Sequence, residues 1–137
     1  MDFIQQNILL VTVVVFSGSM LIWQTIQAAG GKQVSPADAT RMLNREDAVI
    51  IDVRSPAEFA AGHAPDSLNI PTDKLKERLT ELDKFKGRPL ILNCATGARS
   101  SSACALLRKL GVENVVNLAG GMNAWVDAGL PIRKGHK

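Results

Sequence analysis

The sequence predicts an α/β fold: a small open parallel sheet flanked by helices, preceded by one transmembrane helix. Three observations predict it. From Val34 onward, short and uniformly apolar runs alternate with capped or amphipathic helical stretches, the pattern of parallel strands covered on both faces. The first 31 residues hold no charged side chain except Asp2, whereas all 16 Lys and Arg and 12 of the 13 Asp and Glu follow, leaving the remainder at +4. At 137 residues the chain has room for one domain and one appendage, divided as 1–31 (anchor and short linker) and 32–137 (the domain).

The anchor is read from Ile8 to Trp23, ILLVTVVVFSGSMLIW, where only Thr12, Ser17 and Ser19 are polar. Taken as residues 4–26, the uncharged stretch reaches the roughly 20 residues that cross a bilayer core of about 30 Å. Trp23 and the flanking glutamines are residues of the membrane interface. The stretch is apolar on every face, unlike a core-facing helix. It also lacks the basic start of a signal peptide, and Gln27-Ala28-Ala29 makes a poor cleavage site. Lys32, Arg41 and Arg45 follow it and no basic residue precedes it, so the positive-inside rule predicts a cytoplasmic domain. Gly30-Gly31 reads as a flexible joint, and the lipid bilayer is the first expected partner.

The elements follow in order. Ser35-Pro36 opens a helix, with serine as N-cap and Ala39, Met42 and Leu43 at helical spacing. Ala48–Ile51 is a buried strand ending at Asp52. Ser55-Pro56 opens a second short helix that ends at Gly62, and Ser67–Ile70 is a brief strand. Thr72 or Asp73 caps an amphipathic helix carrying Leu75, Leu79 and Leu82 on one face. Pro89–Asn93 is a strand and Ser100–Leu110 a helix stopped by Gly111. Asn114–Leu118 is the next strand, and Gly121–Ala128 a last helix ended by Gly129 and Pro131.

Ligands of open parallel sheets bind beyond the carboxyl ends of strands, which is where Cys94 stands. In Cys94-Ala95-Thr96-Gly97-Ala98-Arg99-Ser100, small side chains and a glycine let the backbone curl with its N–H groups inward, an anion-binding nest. The following helix adds the positive end of its dipole, and Arg99 a charge and a planar donor fork. A thiol over such a ring has a lowered pKa and is nucleophilic. The basic residues are scattered and Tyr is absent, so a nucleic-acid-binding face has little support. Two cysteines do not make a disulfide scaffold, and a working thiol needs a reducing compartment. His63 has no metal partners, and neither metal nor cofactor is expected.

Three segments carry a resemblance. CATGARS, IIDVRSPAEFAAGHAPDSLNIP (Ile50–Pro71) and LAGGMNAWVDAGLP (Leu118–Pro131) resemble, in order and spacing, the motifs of rhodanese-like domains over about residues 33–132. The layout is similar to that of membrane-anchored, single-domain rhodaneses of the bacterial inner membrane. The resemblance implies a sulfurtransferase. Cys94 takes sulfane sulfur from an anionic or persulfide donor such as thiosulfate, holds it as a persulfide, and passes it to a thiol or cyanide. Related phosphatases and arsenate reductases carry five residues between cysteine and arginine, whereas this loop carries four and makes a ring suited to sulfur. Ala95, Thr96 and Ala98 are neutral where dedicated thiosulfate enzymes carry charge, which points to a protein or low-molecular-weight persulfide as donor. The family's stretch after the histidine reads like GHIPGA, and here it is Gly62-His63-Ala64-Pro65-Asp66-Ser67. Asp52 and Arg54 are read as supporting residues, the carboxylate binding loop amides and the arginine pairing near the site. His63, Cys104 and Trp125 are read as structural, and His136 as exposed. The alternative function is a tethered interaction module that uses the fold without catalysis.

Overall fold

The computed structural model describes the backbone of residues 2–30 and 32–136, and the side chains of all of these except 23–30. Two helices lead the chain, α1 (Asp2–Gln6) and α2 (Ile8–Gly30). Large apolar side chains from Phe3 to Ile22 stand out of the fold, with Leu9 77% exposed. Among the described residues, however, no helix is long and apolar enough to cross a membrane. The expected transmembrane helix is therefore not found there. The apolar side chains of α2 are described only from Ile8 to Ile22, about 22 Å of helix against a bilayer core of about 30 Å. The side chains of Trp23 and of Gln27-Ala28-Ala29 lie outside the described residues, as does Gly31 of the expected Gly30-Gly31 joint, whereas the backbone of Gly30 is still helical and closes α2.

The sheet has strands β1 (Gln33–Val34), β2 (Val49–Asp52), β3 (Leu68–Asn69), β4 (Leu90–Asn93) and β5 (Val115–Leu118). All pairs are parallel, in the order β1-β5-β4-β2-β3. β2 and β4 are buried at every residue, as their unbroken apolar runs require. The interleaved helices are α3 (Pro36–Arg45), α4 (Pro56–Ala61), α5 (Ala98–Lys109) and α6 (Gly121–Asp127). Leu75, Leu82, Cys104 and Leu107 cover Ile51 and Leu92 on one face. Ala39, Met122 and Trp125 cover Ile50 and Ile91 on the other.

Local chemistry sets most boundaries. Ser35 caps α3 by accepting from the Asp38 amide. Ser55 and Glu58 form a reciprocal capping box on α4, with Gly62 at its far end. The amphipathic α-helix expected after Thr72 is instead two 3-10 segments, Thr72–Lys74 and Leu79–Phe85, neither with a side-chain cap. The leucine spacing still buries Leu75 and Leu82. This segment must travel from the carboxyl end of β3 back to the amino end of β4, and the 3-10 rise of about 2.0 Å per residue covers more distance than an α-helix does. Strand β1 was not expected. It adds to the sheet edge through Asn117 N to Lys32 O (3.0 Å) and Ala119 N to Val34 O (2.8 Å), and is too short to leave a period-two signal.

The topology also makes a crevice. After β2 the chain moves outward to β3, whereas after β4 it moves the opposite way to β5. Asp52 and Asn93 pair in register, so the loops that follow them start level and diverge. The space between diverging loops is the ligand position of this architecture.

Candidate active site

Cys94 directly follows β4 and has no exposed surface. Its Sγ accepts from the Gly97 amide at 3.0 Å and contacts Ser100 Oγ at 3.3 Å. Burial pushes this thiol up, but the Ser100 hydroxyl and the amides of Ser100, Thr96 and Gly97 outweigh it and the net direction is down. These donors are all uncharged, and most belong to the backbone.

Peptide groups turn their N–H inward only if their carbonyls are accommodated outside. The amino end of α6 does this work: Met122 N donates to Cys94 O at 2.7 Å and Asn123 N to Ala95 O at 3.1 Å. So close an approach excludes a side chain at Gly121, where a Cβ would lie 2.2 Å from Cys94 O. Gly121 also has φ +59°, and Gly97, at φ +97°, caps α5 in the left-handed region. Asn117 of β5 completes the frame, with Nδ2 donating to Gly97 O at 3.1 Å and Oδ1 sharing the single Ser100 hydroxyl proton with the Cys94 sulfur. α5 starts at Ala98, earlier than the expected Ser100, so the amides facing the sulfur belong to the loop and the first turn of α5.

Arg99 stands at the mouth, and its fork is occupied. Nη1 and Nη2 each lie 2.9 Å from an oxygen of Glu58, across the crevice on α4. Arg99 holds the Glu58 carboxyl at about 2, with Ser55 adding to the effect against the opposing pull of burial. Asp52 and Arg54 form a buried pair, Nη2 to Oδ2 at 2.7 Å. Asp52 also accepts from the Arg54 amide, and Arg54 donates to Gly62 O at 2.7 Å. Asn69 Nδ2 bonds the carbonyls of Asp52 and Arg54. Asp52 and Arg54 thus brace the loop after β2 and are not among the hydrogen-bond donors to the sulfur, which are Gly97 and Ser100. Of the remaining loop residues, Ala95 is half-buried, and Thr96 and Ala98 are exposed.

His63 is buried, stacks on Phe59 with ring centroids 3.7 Å apart, and donates from Nδ1 to Phe59 O at 2.8 Å, in keeping with a structural role. Trp125 is buried with its N–H on Pro131 O, Cys104 is buried in α5, and His136 is exposed. Glu58, Asn117 and Gly121 were missed as site residues. A buried Asn in an apolar strand and a Gly-Gly doublet at a helix start are the signals that mark the last two. Nothing local marks Glu58, whose partner lies 41 residues away.

A sheet-end thiol in a six-residue loop from Cys94 to Arg99, framed by a glycine-started helix, defines the class. The family model for the rhodanese-like domain matches residues 35–128, and this chain belongs to that family. It is 42% identical to a sulfurtransferase of Allochromatium vinosum over 67% of this chain and 84% of that protein. It is 30% identical to the tRNA uridine(34) hydroxylase of Cronobacter sakazakii over 75% of this chain, but spans only 32% of that enzyme. A rhodanese-like domain protein of Staphylococcus aureus superposes with a TM-score of 0.65 at 32% identity, covering 75% of this chain and 99% of that one. Family membership and the sulfurtransferase relative support sulfur transfer as the general chemistry.

Proposed function

We propose that the protein moves sulfane sulfur through a persulfide on Cys94 and does so at a membrane surface. The observation that carries the chemistry is a buried thiol ringed by amide donors and lowered in pKa. In the first half-reaction the Cys94 thiolate attacks the outer sulfur of the donor. The donor S–S bond breaks, and sulfite leaves from thiosulfate or a thiolate leaves from a persulfide. The amides of Thr96, Gly97 and Ser100 then hold the terminal sulfur of the Cys94 persulfide. In the second half-reaction a thiol or cyanide takes that sulfur and the Cys94 thiolate returns. The loop of four residues between Cys94 and Arg99 favours a sulfur centre over a phosphoryl group.

Tethering through residues 4–26 is supported by the exposed apolar side chains between Phe3 and Ile22 and by the absence of charge from residue 3 to residue 31. Basic residues only on the carboxyl side support a cytoplasmic domain. Sulfur transfer is tested by incubating the reduced protein with thiosulfate or glutathione persulfide. Wild type is expected to gain the mass of one sulfur and to form thiocyanate from cyanide, and Cys94→Ser to do neither. If wild type does neither, the tethered interaction module takes the place of the enzyme. Tethering is tested by alkaline extraction of cell membranes, where recovery in the supernatant would rule it out.

A further inference from the structure

The sulfur of Cys94 touches only uncharged donors, and the cation at the mouth is already spoken for. Both fork nitrogens of Arg99 lie on Glu58 at 2.9 Å. Glu58 is itself anchored, because its Oε1 accepts from the Ser55 amide (3.3 Å) and hydroxyl (3.1 Å) in the capping box of α4. Behind the loop the other charged pair, Asp52 with Arg54, also cancels. A thiolate at Cys94 therefore gives these five groups together a net negative charge, and both arginines among them are already paired when a dianion arrives. Resting on sulfur transfer at Cys94, we propose that Glu58 is a specificity-determining residue: by neutralising Arg99 it selects organic persulfides over thiosulfate as sulfur donors.

The two donors differ in what leaves. With thiosulfate, the Cys94 thiolate and the dianion form the persulfide anion and release sulfite, so a second doubly charged species occupies the mouth throughout. With an organic persulfide RSSH, the thiolate takes the outer sulfur with its hydrogen and releases RS−, a single charge on an organic group. Both steps are balanced displacements at sulfur with no external oxidant or reductant. A free Arg99 would favour the first, and an Arg99 held by Glu58 removes that advantage. Both side chains are partly solvated, Arg99 at 44% and Glu58 at 39%, so the effect is that of one screened surface charge and is reversible by salt.

Glu58→Gln isolates the charge. Glutamine keeps the capping box and can still accept from Arg99, so α4 is preserved. The expected result is a fall of about two- to fivefold in KM for thiosulfate, with kcat moving far less and KM for the persulfide of 2-mercaptoethanol, whose organic group carries no charge, unchanged. At about 1 M salt, where the screening length is about 3 Å, the fall should disappear. Adding Arg99→Gln should abolish the gain: in the Arg99→Gln background, Glu58→Gln no longer creates a free cation, and the thiosulfate KM of the double variant should not fall below that of wild type. In a Cys94→Ser background, which cannot turn over, Glu58→Gln should tighten thiosulfate binding by a similar factor in calorimetry. An unchanged thiosulfate affinity in both assays, or an equal change for both donors, overturns the proposal. Tighter thiosulfate binding without sulfur transfer by any variant leaves the role of Glu58 standing and removes the transferase reading instead.

Discussion

Cys94 and Cys104 are ten residues apart, fully buried and part of the same apolar cluster, yet their acid strengths move in opposite directions. Around Cys104, burial dominates and pushes the thiol up to about 12. Around Cys94, burial acts in the same sense but is overcome by the Ser100 hydroxyl and the loop amides. The difference lies in the surrounding backbone. Inside α5 the N–H groups near Cys104 serve the helix itself. In the loop and the first turn they have no helical acceptor and are free to face the sulfur. Burial alone therefore says nothing about thiol reactivity here, and the supply of unpaired amides decides it.

The comparison breaks most completely at the sulfur atoms themselves. Cys94→Ser should lower sulfur transfer by about a thousandfold or more, because a serine hydroxyl is not ionised under these conditions. Cys104→Ala should leave the same assay within about twofold. A comparable loss from both would mean that the second thiol takes part in the chemistry.

The next largest effect is expected at the frame that turns the amides inward. In Gly121→Ala the new methyl would meet Cys94 O at 2.2 Å and the Ala95 carbonyl carbon at 2.8 Å, both backbone atoms that cannot rotate away. The carbonyls must move, and the amides attached to them move as well. We expect transfer to fall about a hundredfold and stability by about 2–3 kcal/mol. Iodoacetamide labelling of Cys94 should shift to higher pH. Normal labelling with a large loss of stability would show that Gly121 serves packing only.

Ser100→Ala probes a single donor. Losing the hydroxyl should raise the Cys94 pKa, so the labelling profile moves to higher pH and the thiolate fraction at neutral pH drops. Cys104 should stay unlabelled until the protein unfolds, in the variant as in wild type.

How much of this was legible in the sequence depended on how local each cause is. The Cys94 loop, the caps at Ser35 and Ser55 and the buried runs of β2 and β4 each follow from neighbours a few residues apart. The contact between Asp52 and Arg54 has the same local origin, the two being two residues apart. Glu58 with Arg99 and Asn117 with Ser100 were not, since they meet only after strands have been ordered in the sheet. The segment from Thr72 to Phe85 shows the limit of periodicity, because the leucine pattern fixes which side chains are buried but not the rise per residue. The place of Arg99 at the end of the Cys94 loop is legible in the sequence, but the neighbour that occupies its fork is not.

The smallest expected effect is on stability against pH, where the two thiols should pull in opposite senses. Cys94 has a lowered folded pKa, so the unfolded chain binds more protons between that value and the ordinary thiol pKa of about 8.5. Its contribution is present above this range and is lost as pH falls through the folded pKa. Cys104 has a raised folded pKa, so its contribution is complete below about 8.5 and declines as pH rises toward about 12. Each can contribute a slope of up to about 1.4 kcal/mol per pH unit. No tyrosine titrates in the chain, which keeps phenol ionisation out of the window. Urea unfolding from about pH 7 to 10 should show a decline above about 8.5 in wild type that is weaker in Cys104→Ala. Cys94→Ser should instead lose the gain on the acid side and keep the alkaline decline. If Cys104→Ala declined as steeply as wild type, the buried thiol would not hold its proton in the folded state, and the contrast between two equally buried cysteines would rest on access to reagent instead of on amide supply.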